Sequence, residues 1–212
     1  MKSNNLIEIK DLNLKMKKDV ILSGINKNFE RGKIHGLIGR NGSGKTMLLK
    51  CICGFVRPTS GSVLFDGKTI GKDVDFPPNT GIIIETPGFI PYYSGYRNLK
   101  ILADLNRKVG KEEILRTLEL VGLKDAQKKQ VRTYSLGMRQ RLGLAQAIME
   151  KPDTLILDEP MNGLDKEGVK EVRELLLGLK EQGKTILLVS HNREDIDVLC
   201  DTICELEHGR IV

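Results

Sequence analysis

Eight consecutive residues, Gly39-Arg40-Asn41-Gly42-Ser43-Gly44-Lys45-Thr46, have types and spacing suited to holding phosphate. They fit G-x-x-x-x-G-K-S/T and stand between an apolar run, Ile34 to Ile38, and a helical pattern, Met47 to Ile52. Glycines at 39, 42 and 44 let successive N–H groups turn inward, and the positive end of the next helix adds to them, so the loop forms a concavity for polyphosphate. Lys45 is expected to reach the β- and γ-phosphates, and Thr46 to put its hydroxyl on Mg²⁺.

A second group follows from the first. Leu155-Ile156-Leu157-Asp158-Glu159-Pro160 ends a buried apolar strand in two carboxylates. A loop holding triphosphate and Mg²⁺ needs another metal contact on a neighbouring strand, and Asp158 is expected to supply it through water. Glu159, one residue on, is expected to point to the opposite side of the strand end and to take a proton from an attacking water.

Positioning these groups requires a sheet. Residues 6 to 16 alternate apolar and polar, which predicts a half-buried strand, and Val20 to Phe29 predicts an antiparallel partner. Ile34 to Ile38 delivers the phosphate loop, whose helix runs to about Gly54. Ser62 to Phe65 with Asp66-Gly67 reads as a strand entering a tight turn. Gly81 to Ile84, Thr154 to Asp158 and Thr185 to Ser190 are short, continuous apolar runs suited to strands covered on both faces. Glu85-Thr86-Pro87-Gly88 is a break, after which the period turns helical from Tyr96 to Leu123 (Leu99, Leu102, Ala103 and Asn106, then Ile114, Leu115, Leu118 and Val121), continuing to Met149. Val169, Val172, Leu176 and Leu179 stripe a further helix, and Thr202 to Leu206 and Arg210 to Val212 close the chain around a His208-Gly209 turn. Strand alternating with helix predicts a parallel sheet with right-handed crossovers.

The totals restrict the function classes. At 212 residues the chain suits one domain. No stretch approaches the ~20 apolar residues of a membrane span, and Met1-Lys2-Ser3-Asn4-Asn5 lacks the apolar core of a signal peptide. A cytoplasmic protein is expected. The net charge of +6 is scattered, with short clusters only at Lys15 to Lys18 and Lys128 to Arg132, so no specific nucleic-acid partner is expected and mild attraction to a membrane surface is. Cys51, Cys53, Cys200 and Cys204 have no zinc spacing and read as buried, reduced thiols.

Further motifs carry a family resemblance. Tyr134-Ser135-Leu136-Gly137-Met138-Arg139-Gln140-Arg141 resembles the signature of ATP-binding cassette (ABC) proteins, Asn162-Gly163-Leu164-Asp165 resembles their D-loop, and Ser190-His191 their switch histidine. Order and spacing match across essentially the whole chain. The resemblance implies an α/β P-loop NTPase core (1–86 and 151–212) with a mainly parallel sheet and an N-terminal antiparallel β subdomain, and an inserted α-helical subdomain (87–150). It implies an ATPase with Mg²⁺ as cofactor, working as a head-to-tail pair, here expected to be a homodimer. Ser135 and Gly137 of one subunit would then meet the ATP held by the phosphate loop of the other, a hydroxyl and an N–H at a helix start making a second anion site. As a lone motif, Ser135 at a helix start would be an ordinary N-cap, which uses the same chemistry as a phosphate contact. His191 would contact the γ-phosphate and hold Glu159 with the water, and Asp165 would join the site from the D-loop.

Three departures stand out. Leu136 and Met138 replace a glycine and a glutamine of the signature. Glu85 falls where the family carries a glutamine sensing Mg²⁺ and water, adding negative charge beside the metal. Met16 falls where an aromatic stacks on adenine. These variations resemble the bacitracin and lantibiotic resistance exporters, whose ATPase and membrane subunits are separate chains. That group implies an exporter of antimicrobial peptide or similar amphipathic cargo, lodged peripherally on the inner face of the membrane. Phe89, Tyr92, Tyr93 and Tyr96 crowd a loop rich in Pro and Gly, where the resemblance places a helix of the membrane subunit. The competing reading is a soluble cassette acting on nucleic acid or ribosomes. Such proteins carry paired cassettes or a long coiled-coil insertion, and this sequence shows neither.

Overall fold

A computed structural model describes residues 4–85 and 88–212. The first residues of the polar N-terminus and the Thr86-Pro87 part of the break, with the division at 86/87, lie outside the described residues. In chain order the elements are β1 (Asn5–Met16), β2 (Asp19–Glu30), β3 (Ile34–Ile38), α1 (Lys45–Ile52), β4 (Ser60–Phe65), β5 (Lys68–Thr69) and β6 (Thr80–Ile83). They continue with α2 (Gly95–Asn106), α3 (Lys111–Leu120), α4 (Leu136–Ile148), β7 (Thr154–Asp158), α5 (Lys166–Glu181), β8 (Thr185–Val189), α6 (Arg193–Leu199), β9 (Thr202–Glu207) and β10 (Arg210–Ile211).

The N-terminal strands form an antiparallel sheet in the order β2-β1-β4-β5. In β1 the inward positions change parity: Ile7 and Ile9 are buried, then Leu12 and Leu14. A register shift between Ile9 and Leu12, with Asp11 at φ 45, inserts the residue that makes this possible. Without that bulge a strict alternation would turn Leu12 and Leu14 to solvent. At the β4–β5 turn both Asp66 (φ 49) and Gly67 (φ 76) are left-handed, which a two-residue primed turn demands.

The second sheet has the order β10-β9-β3-β8-β7-β6, with β9, β3, β8, β7 and β6 parallel. Every residue of β7 and β8 is buried because both faces are covered. Leu155, Leu157, Ile186 and Leu188 face a core shared with α2 to α5. Leu37, Ile156, Leu187 and Val189 face the antiparallel sheet and α1, meeting Ile7, Leu22, Leu48 and Leu49. The carboxyl ends of β3, β7 and β8 therefore lie along one sheet edge, the usual place for ligands in parallel α/β folds.

Helix α4 docks on strand β6 so closely that a Cβ at Gly81 would lie 2.0 Å from the Ala147 carbonyl oxygen. Two elements escape the sequence pattern, the two-residue β5 and the seven-residue α6. The four cysteine thiols are free, and burial pushes Cys51 up to about 11 and Cys53 to about 12, which keeps both protonated.

Within β3, His35 is 2% exposed and ties three elements together. Its Nε2 lies 2.8 Å from the Glu30 carbonyl oxygen, which can only accept, so Nε2 carries a proton. Burial holds the ring's pKa below 6.5, which favours the neutral form, and in that form Nδ1 accepts from the Thr202 hydroxyl at 2.6 Å. The neutral ring's contribution is whole above the ordinary pKa of about 6.5 and is lost as pH falls through the lower folded value. The melting-temperature gap between wild type and His35→Gln should therefore narrow on acidification below about pH 6.5, where the wild type loses the neutral ring's contribution; a constant gap would remove His35 as the cause.

Candidate functional site

Between β3 and α1 the chain makes the phosphate loop. Gly39 has φ 143, and a Cβ there would lie 2.2 Å from the Leu206 carbonyl oxygen, so only glycine lets β3 turn into the loop at this point. Lys45 is 7% exposed, and its Nζ donates to the carbonyls of Gly39 (2.7 Å) and Arg40 (3.1 Å), which sets the ammonium across the mouth of the loop. The Ser43 hydroxyl is buried without a hydrogen-bond partner among the described residues. A buried, unsatisfied donor at the start of a helix fits an anionic oxygen there.

Thr46 Oγ1 donates to Asp158 Oδ2 at 2.7 Å, joining the first turn of α1 to the end of β7. A hydroxyl and a carboxylate are hard oxygen donors of the kind Mg²⁺ takes, so these two residues would hold it.

Glu159 is turned differently from expectation. An extended chain would send it to the face opposite Asp158, but Glu159 has φ 53, and both carboxylates line the same cavity. A left-handed non-glycine residue stores backbone strain. Here it is braced from both sides: the Glu159 N–H donates to the Val189 carbonyl (3.0 Å), and the Glu159 carbonyl accepts from Gln140 Nε2 (3.0 Å). Its Oε2 accepts from the His191 backbone N–H at 3.3 Å. His191 Nε2 lies 3.0 Å from Oε1, near enough for a charge interaction but not aligned as a hydrogen bond, which leaves Oε1 buried with a free lone pair. Burial foremost, with the nearby Asp158 charge, pushes the Glu159 carboxyl up to about 7, against the lowering pull of the His191 N–H and Lys45. A carboxylate of that basicity suits proton abstraction at neutral pH.

The cavity holds about 600 Å³ and is walled by Lys45, Thr46, Asp158, Glu159, His191 and Glu85, with Ile21, Asn162, Leu136, Arg139 and Gln140 also on it. Glu85, at φ 62, reaches the wall while its Oε1 accepts from Lys50 Nζ on α1 at 2.6 Å, so its negative charge is offset before any metal is considered. The remaining predicted residues stand apart. Met16 is half exposed at the end of β1, and the adjoining wall is made by Ile21. Ser135 Oγ caps α4 by accepting the Met138 N–H at 3.1 Å, and Asp165 Oδ1 caps α5 by accepting the Gly168 N–H at 2.9 Å. Gly137 lies under the D-loop, where a Cβ would come 2.9 Å from the Gly163 carbonyl oxygen. Ser135 and Asp165 are both exposed, on surface open to a second chain. The sequence reading passed over Gln140 as a support of Glu159; its place one helical turn from Leu136, on the same face of α4, was the available signal.

Comparison with known proteins gives a consistent result. The family model described as ABC transporter matches residues 22–162. An uncharacterised ABC transporter ATP-binding protein of Bacillus subtilis, YybJ, is 46% identical over 206 residues, covering 97% of this chain and 94% of that protein. The bacitracin transport ATP-binding protein BcrA of Enterococcus faecalis is 42% identical over 209 residues, 98% of this chain and 68% of that protein. Among solved structures, cbiO1 from Clostridium perfringens, part of the ABC transporter complex cbiONQ, superposes with a TM-score of 0.84 at 28% identity, covering 99% of this chain and 88% of that one.

Proposed function

This chain belongs to the ABC transporter family as an ATP-binding, ATP-hydrolysing subunit, and from that premise we propose that it drives export of an amphipathic antimicrobial peptide through a separate membrane subunit. The observation that carries the ATPase reading into residues is the single cavity where Lys45, Thr46, Asp158, Glu159 and His191 converge. The 42% identity to a protein named for bacitracin transport supports the cargo class. No helix among the described residues is long and apolar enough to cross a membrane, so the cargo's path is assigned to the partner.

In this reading the loop N–H groups, Ser43 and Lys45 would hold the phosphates, and Thr46 and Asp158 would hold Mg²⁺. The metal, when bound, neutralises charge on the phosphate oxygens. Glu159 takes the proton of a water held beside the His191 N–H. Ile21 and Met16 border the base, and Glu85, released from Lys50, turns toward the metal side. A second copy of this chain supplies Ser135, Gly137 and Asp165 across the opening, and closure of the pair is the power stroke. The cytoplasmic face of the membrane is the place for such a subunit.

The docking surface is the loop before α2. Asn98 pins it through three hydrogen bonds, accepting from the Ile90 N–H and donating to the carbonyls of Ile90 and Ser94, so Ile90 (43% exposed) and Tyr92 (67% exposed) are held outward. Phe89 and Tyr96 instead pack onto the helical core, and Tyr93 lies under the Arg97 guanidinium at 3.9 Å. Rigidly presented aromatic residues are typical anchors at interfaces. Tyr92→Ala should weaken recovery of the protein with membranes carrying its integral subunit by about tenfold or more, leaving basal ATPase unchanged. Equal recovery of variant and wild type would remove this loop as the docking site.

A further inference from the structure

We infer that Arg173, Asp195 and Ser190 form a positioning relay that fixes His191 beside Glu159, so that helix α5, which starts at the D-loop, sets the geometry of the switch histidine. The inference rests on the role given to His191 above.

His191 occupies a short connection between β8 and α6, where little holds it directly: its side chain is 47% exposed. The residues around it are tightly bound. Ser190, 6% exposed, donates its hydroxyl to Asp195 Oδ2 at 2.7 Å and accepts the Asn192 N–H at 3.1 Å, so one hydroxyl ties down the backbone on both sides of His191. Asn192 then caps α6 by accepting the Glu194 N–H at 2.9 Å. Asp195 is 3% exposed, and its other oxygen, Oδ1, accepts from both Nε (2.9 Å) and Nη2 (2.6 Å) of Arg173. Arg173 Nη1 donates to Glu194 Oε1 at 3.0 Å, completing the fork.

A buried carboxylate paired with a partly buried guanidinium is a poor choice for stability, because desolvation offsets much of the attraction and apolar side chains of similar volume often serve as well. Their well-attested use is to fix register. Helix α6 has two turns and buries only Ile196 and Leu199 as apolar anchors, so packing alone leaves its rotation loosely set. The fork of Arg173 admits one placement of Asp195, which admits one placement of Ser190, and the His191 N–H that reaches Glu159 follows from that. Since α5 begins at its Asp165 cap, a shift of the D-loop is carried along the helix to the same point.

Ser190→Ala removes the link while leaving both helices and the buried pair in place. The full chain should then show kcat lowered about ten- to a hundredfold, the cost of a displaced group near the reacting atoms. KM for MgATP should be nearly unchanged, the melting temperature should fall because the buried Asp195 Oδ2 loses its donor, and Ser190→Thr, which keeps the hydroxyl, should recover both rate and melting temperature. In a His191→Ala background, Ser190→Ala should have no further effect on kcat, because nothing is left to position. Asp195→Asn should behave like Ser190→Ala in rate and also lower the melting temperature, because Arg173 loses its buried charged partner and is left with Glu194. An unaltered kcat in Ser190→Ala, or an equal loss with and without His191, overturns the relay. A wild-type chain that binds MgATP without turnover sinks the role of His191 itself, and the relay with it.

Discussion

Glu159→Gln should lower ATP turnover by about 10²- to 10⁴-fold while leaving MgATP binding intact. Glutamine matches glutamate in size and still accepts the His191 N–H through its carbonyl oxygen, but it cannot take a proton. The strained backbone at φ 53 and its supports from Val189 and Gln140 are main-chain features that the substitution leaves alone. With ATP bound and chemistry blocked, the closed pair should persist, so size-exclusion chromatography with MgATP should show a dimer that the wild type shows only briefly. Stability gives an independent readout. Because the folded-state pKa is about 7, above the ordinary 4.5, the neutral acid is the form the fold favours. Its advantage is whole below about pH 4.5 and lost as pH rises through about 7. Nucleotide-free Glu159→Gln should thus be more stable than wild type near pH 8, by at most about 3 kcal/mol, and the two should converge near pH 4.5. Undiminished turnover would exclude Glu159 as the base.

Lys45→Ala should abolish nucleotide binding at ordinary concentrations. The ammonium is almost fully buried against the Gly39 and Arg40 carbonyls, and a phosphate group entering the loop meets it at short range in a poorly hydrated setting. Charge-assisted hydrogen bonds contribute roughly 1.5 to 3 kcal/mol each, so losing two raises the Kd by about a hundredfold or more. Calorimetry with MgATP reads this directly, and wild-type affinity in a folded variant would count against the phosphate-loop assignment. The melting temperature should fall only modestly, because the loop carbonyls can turn to water.

Most of the parallel sheet was legible because fully covered strands must be apolar throughout: Thr154 to Asp158 and β7 coincide residue for residue. Local turn chemistry was equally plain at Asp66-Gly67. Legibility ended where one residue changes the direction of the chain. Asp11 reverses the parity of β1, and Glu159 swings a carboxylate from the far face into the cavity; neither left-handed residue is a glycine that would have announced itself. Pairs distant in sequence were also hidden. Lys50 and Glu85 are 35 positions apart, and Arg173 and Asp195 are 22 apart, so no periodic pattern joins them. Helix α6 was missed because seven residues give too few repeats, although Asn192 followed by Glu194 and Asp195 is a legible start signal.

The seating of Ala147 over Gly81 makes the far end of α4 a fulcrum. The helix has 13 residues and so spans about 20 Å. A tilt of about 10° around that seat would sweep Leu136, about 17 Å away along the helix, through about 3 Å, a lever stroke large enough to carry Leu136 and Arg139 on or off the cavity wall while the sheet stands still. Enlarging residue 81 by one methyl group would unseat the fulcrum, and the stroke would lose its reference point before the pocket lost a single one of its own atoms.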